Sequence, residues 1–159
     1  MTDWTDSVRE HLLYLLGGGG AHISFDDAVA AMPVRLRGVN PPAGPHTPWQ
    51  LLEHMRLAQL DILDFCRNPK YEAPPFPAGY WPENPVPVRG AWDKSIKAFR
   101  ADLKAMQRLV ADTSTDLLKP IPWGDGQTIL REALLVADHN AYHLGQFVMV
   151  RRMLGAWRE

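Results

Sequence analysis

The stretch TPWQLLEHMRLAQLDILDFCR, residues 47–67, decides the fold. Thr47 stands as an N-cap, Pro48 takes the first helical position and Gln50 follows three after the cap. This T-x-x-Q capping box satisfies two of the N–H groups that a helix start leaves without partners. Leu51, Leu52, Met55, Ala58, Ile62, Phe65 and Cys66 then recur at helical spacing. They cover a face wider than a surface helix with one neighbour needs, so this helix is expected at the centre of the structure.

Working outward, the prolines fall in three groups, at 33–48, 69–87 and 120–122, and the segments between them carry helical periodicity. A first helix is expected from about Asp3 to Leu16, with Val8, Leu12, Leu15 and Leu16 inward and Gly17 to Gly20 ending it. A minor helical turn is expected over Ser24 to Met32, capped by Ser24 and stopped by Pro33. From about Gly90 to Ala111, Trp92, Ile96, Phe99, Leu103, Met106 and Val110 repeat at alternating fours and threes, the spacing of a bundle seam. The last helix is expected from Thr128, as N-cap, to Leu154, with Gly155 ending it in a left-handed conformation. No segment alternates strongly enough to read as a strand. The expected class is therefore all-α, a four-helix bundle, with the connection 68–89 expected to carry no element of its own and long enough for a crossover.

A length of 159 residues suits one domain. Seventeen basic against eighteen acidic residues leave a net charge of -1, with no basic excess to neutralise phosphates or anionic lipid, so neither nucleic acid nor membrane is an expected partner. Cys66 is the single cysteine, which excludes a disulfide framework, a cysteine-based zinc finger and a Cys-x-x-Cys motif. No apolar run approaches the roughly 20 residues of a membrane span, and Asp3, Asp6 and Glu10 stand where a signal peptide is basic. The cytoplasm is the expected compartment.

The chemistry concentrates in histidines. Asp138-His139-Asn140-Ala141-Tyr142-His143 places two imidazoles four apart, one turn from each other on one helix face. The apolar flanks Leu135, Val136, Phe147 and Val150 turn that face inward, and buried imidazoles need partners. His54 lies on the apolar side of the 47–67 helix and offers a third inward ring. Three imidazoles from two facing helices, with further positions open to water or substrate, are what a catalytic-type site for a divalent metal ion needs, the other reading being core histidines of a helical scaffold that satisfy one another. The spacer Asn-Ala-Tyr lacks the glutamate of an HExxH protease. Asp61, Glu132 and Gln146 share these stripes and suit either orientation of the imidazoles and proton transfer, or ordinary helix-face roles. His11, His22 and His46 have no comparable setting and read as structural or surface residues.

The segments Thr47-Pro-Trp-Gln-Leu-Leu-Glu-His54-Met, Tyr80-Trp81-Pro82, and Gly126-Gln-Thr-Ile-Leu-Arg-Glu-Ala through Ala137-Asp-His139-Asn-Ala-Tyr-His143-Leu-Gly-Gln146 resemble the DinB-like proteins, damage-inducible four-helix metalloproteins of the DinB/YfiT type. The resemblance spans nearly the whole chain and is most specific in the second and last long helices. It implies an up-down-down-up bundle, commonly a homodimer. It also implies a divalent ion, nickel or zinc most often and iron or manganese in some members, on His54, His139 and His143. Members resemble S-transferases using low-molecular-weight thiols, or metal-dependent hydrolases. The expected function is accordingly activation of a small thiol or of water on the ion, the alternative being a non-catalytic metal- or ligand-binding stress-response protein. Trp81 and Trp123, in proline-bounded loops, suit either the walls of a substrate pocket or a cover over the core.

Overall fold

The computed structural model describes residues 4–18 and 20–157. Five α-helices follow one another: α1 (Trp4–Leu16), α2 (Phe25–Val29), α3 (Pro48–Arg67), α4 (Ala91–Ala111) and α5 (Ile129–Met153). Short 3-10 turns lie at Val34–Leu36 and Ala78–Tyr80. Among the described residues there is no strand, only an isolated bridge between Pro120 and Thr128. The chain is all-α. The expected contributions of Asp3 and Gly19 to the first helix and its stop lie outside the described residues.

The caps explain where the helices begin and end. Thr47 Oγ1 accepts from the Gln50 N–H at 3.1 Å while Gln50 Oε1 accepts from the Thr47 N–H at 3.0 Å, which closes the capping box of α3. Thr128 accepts from the Arg131 N–H at the start of α5. At its end, Gly155 is left-handed with φ 62°, its N–H bonding Arg152 O and the Ala156 N–H bonding Arg151 O, the paired pattern of a Schellman stop. Gly90 opens α4 from a left-handed φ of 80°, a conformation costly for any residue with a Cβ.

Helix α3 packs against both α4 and α5, and α1 lies across α4 and α5. Two apolar clusters result. One gathers Trp49, Leu52, Met55, Trp92, Phe99 and Phe147; the other gathers Leu12, Leu63, Met106, Val110, Ala133 and Val136. Between them the α3–α5 contact is polar. Buried Gln59 donates to Phe99 O at 2.8 Å and accepts from Asn140 Nδ2 at 2.9 Å. A buried amide pair of this kind holds its register because either partner alone would be left unsatisfied in the core.

Three expectations need correction. Leu15 is exposed, and Arg9 is buried on α1 instead: its guanidinium donates to Val110 O, Asp112 O and Thr115 O, capping the C-terminal end of α4. Helix α2 ends at Val29, short of Pro33, because Ala30 leaves helical geometry and Ala31 turns to φ 52°. There the buried Arg151 donates to Ala28 O and Ala30 O and also to Ala156 O, so one cation satisfies carbonyls that further helix would have used. The 68–89 connection carries an element of its own, the Ala78–Tyr80 turn, and is tied to the start of α3 by Thr47 Oγ1 donating to Pro85 O and Trp49 Nε1 donating to Asn84 O.

Candidate metal centre

The helix faces bring His54 of α3 and His139 and His143 of α5 together. His54 Nε2 lies 3.0 Å from His143 Nε2 and 3.2 Å from His139 Nε2. One ligand atom from each of the three falls within 4.8 Å of the others.

The outer nitrogens decide what the inner ones can do. His54 Nδ1 is 2.7 Å from the Tyr80 carbonyl, which can only accept, so this nitrogen carries the proton. His143 Nδ1 lies 2.7 Å from Gln146 Oε1 and donates to it in the same way. In the neutral rings both Nε2 atoms are then bare lone pairs, and they face each other at 3.0 Å with no hydrogen between them. A shared proton or a metal cation can relieve such an arrangement, and burial works against the proton. Desolvation holds His54 and His143 below the usual histidine range, and it takes His139 down to about 4, helped by the neighbouring His143 and His54. Three convergent, neutral imidazoles, two of them backed by outer hydrogen bonds and the third, His139, with its buried Nδ1 unpartnered among the described residues, fit a divalent ion of nitrogen preference.

Aromatic rings roof the site. Trp81 lies flat on His54, centroids 3.9 Å apart and planes within 1°, and His46 stacks on Trp81 at 4.1 Å and 19°. His46 therefore belongs to the surroundings of the trio, a setting that its expected role as a structural or surface residue did not include. Its buried Nδ1 has no hydrogen-bond partner among the described residues, and desolvation lowers its pKa. The signal was its place just before the Thr47 cap, a position turned back over the first turns of the helix.

The other nominated residues separate. Gln146 contacts His143 directly. Asp61 touches no imidazole. Its two oxygens accept from the hydroxyls of Tyr71 at 2.7 Å and Tyr80 at 2.9 Å, so it acts on His54 only by anchoring the residue whose carbonyl holds the ring. Burial and this carboxylate both push the pKa of the two tyrosine hydroxyls up, which disfavours their ionisation. Glu132 is buried two turns before His139, about 10 Å along the axis, and pairs with Arg131 in the Cys66 neighbourhood. Trp123 donates to Phe65 O at the far end of α3, roughly 16 Å along the helix from His54, and caps that end rather than walling the trio. His11 is exposed, and exposed His22 bonds the adjacent Ile23 carbonyl.

No helix among the described residues is long and apolar enough to cross a membrane. No curated protein and no solved structure matches the chain. The DinB superfamily matches over residues 24–147, a span that contains α2 to α4, the roofing loop and all three histidines of α5 and α3. The chain therefore belongs to the DinB superfamily.

Proposed function

We propose that this chain is a divalent-metal-dependent enzyme that activates a small thiol or water, as an S-transferase or a hydrolase, at His54, His139 and His143. The observation that carries the reading is the meeting of three imidazole nitrogens whose outer N–H groups, on His54 and His143, are already committed. A bound ion, nickel or zinc first and iron or manganese otherwise, would supply Lewis acidity that brings the pKa of a coordinated thiol or water toward neutrality.

The chain's own residues set the conditions for this. Tyr80 O and Gln146 Oε1 fix the tautomers and ring planes of His54 and His143. Asp61 holds Tyr80 from behind through its hydroxyl. Trp81 covers one whole face of His54 and keeps water from it. Because all three imidazoles are neutral, the cation keeps its charge, and the guest favoured in the open positions is an anion such as a thiolate. A low-molecular-weight thiol is accordingly the proposed co-substrate, and a homodimer the proposed assembly.

A second reading, a non-catalytic metal- or ligand-binding protein of the stress response, is favoured by one observation: among the described residues no carboxylate contacts the trio. Metal analysis of the purified protein beside His54→Ala, His139→Ala and His143→Ala tests both readings. One bound ion in the parent and its loss in each variant supports the site; equal, negligible metal in all four refutes it. Turnover of thiol acceptors or of esters and amides by the metal-loaded parent supports the enzyme, and stoichiometric metal without turnover supports the binder.

A further inference from the structure

An opening lies beside the trio on the side of Gln146 and His46. It is a groove of about 410 Å³ between the second half of α5 and the 43–46 loop. Pro45, Leu51, Met149, Val150 and Met153 supply its apolar walls. Its polar side chains are His46, stacked on the tryptophan that roofs His54, and Gln146, bonded to His143. No formally charged side chain lines it among the described residues. The groove is thus apolar along its length and polar only where it meets the residues that hold the trio.

Gly145 forms part of its floor. This glycine sits inside α5, where it is a poorer helix former than alanine. Helix geometry does not require it: its φ is not in the left-handed region, and a Cβ built there meets no atom within 4 Å. What the missing side chain leaves is space in the groove. Met149 and Met153 continue the same row at i+4 and i+8, and both are about half exposed, as flexible thioethers that can mould to an apolar guest.

We propose that this groove binds the alkyl portion of the substrate, an uncharged hydrocarbon chain that lies along Gly145, Met149 and Met153 with its polar end toward His46 and Gln146. Its volume is that of a small-molecule site. The lack of charge in its walls selects against ionic groups, which would be desolvated there without a counter-charge. That the occupant is a substrate rests on the reading of the trio as a reactive centre; that the groove takes an alkyl chain does not.

The test uses the full chain labelled with ¹³C at its methionine methyls, metal-free and zinc-loaded, titrated with n-alkanols from butanol to octanol and followed by NMR. Saturable shifts of Met149 and Met153, with Met106 in the opposite cluster unmoved, are expected, and affinity rises about two- to fourfold per added methylene. Gly145→Leu, which fills open space rather than a packed contact, weakens hexanol at least tenfold, and Met149→Gln weakens it in the same direction as seen at Met153. Absence of saturable shifts, or equal hexanol affinity in Gly145→Leu and parent, overturns the proposal. So does a concentration-dependent dimer that buries these methyls and excludes hexanol. If hexanol saturates and zinc does not bind, the metal reading falls and the groove stands; if zinc binds at the trio and hexanol does not saturate, the groove alone falls.

Discussion

Replacing Gln146 by leucine isolates the contribution of one hydrogen bond to the metal centre. In the parent, Gln146 Oε1 accepts from His143 Nδ1 at 2.7 Å, one turn away on the same helix. Leucine keeps helix propensity and approximate volume but leaves that N–H without its acceptor. Two costs follow. The ring loses the contact that fixes its plane, and it is freed to move its proton to Nε2, the nitrogen that must stay bare to bind a cation. Loss of such an outer partner lowers metal affinity typically 10- to 100-fold, which is about 1.4–2.8 kcal/mol. Gln146→Glu works in the opposite direction, since a carboxylate acceptor strengthens the bond and raises the basicity of the ligating nitrogen. Competition titration of zinc against a chromophoric chelator at fixed pH reads both. The expected order of affinity is glutamate at or above glutamine, and leucine at least tenfold below. Leucine within twofold of the parent, or glutamate as weak as leucine, refutes the assignment of His143 Nδ1–H as the outer donor.

Other consequences are open to direct measurement. In metal-free protein, His139 ionises at about 4 against 6.5 for an ordinary histidine. Between those values the folded state binds fewer protons than the unfolded chain, so stability falls as the pH drops from 7 to 5. Discounted for partial exposure, the loss is about 1–2 kcal/mol, and the lowered His46, His54 and His143 act in the same direction; urea unfolding in chelator shows it, and a flat profile over that range contradicts it. Asp61→Asn removes the charge between the Tyr71 and Tyr80 hydroxyls and one of their two acceptors. It is expected to cost about 1–2 kcal/mol and to bring tyrosinate absorbance in at lower pH than in the parent, whereas an unchanged alkaline titration argues against that bridge. Burial pushes the Cys66 thiol up to about 12, so a disulfide reagent at pH 8 should react with it only at the rate of unfolding, and immediate stoichiometric reaction would contradict the packing.

Much of this site is legible in the sequence because helices convert spacing into direction. A capping box fixes where α3 starts, the apolar stripe fixes which way it faces, and His54 falls on that stripe as His139 and His143 fall on theirs. The same logic fails wherever a partner is supplied by a loop or by the backbone. His54 is oriented by a main-chain carbonyl of Tyr80, an atom every residue possesses, so no residue type announces it. Asp61 shares the stripe of His54, yet seven residues carry it about 10 Å along the axis, within reach of tyrosines from the connecting loop and beyond reach of the ring. Trp81 and Trp123 are alike in sequence setting, and only the path of their loops sends one onto His54 and the other to the far end of α3. Arg9 and Arg151 are buried because each meets a cluster of unpaired helix-end carbonyls, which periodicity alone reads as solvent-facing charge.

The central claim is that the three imidazoles share one cation, and its most direct test is a crystal of protein incubated with zinc or nickel, measured on both sides of the metal's absorption edge. The account predicts one anomalous peak at about 2.0–2.1 Å from Nε2 of His54, His139 and His143 together. A structure with no peak there, or with the metal held by other side chains while these rings remain apart, contradicts it.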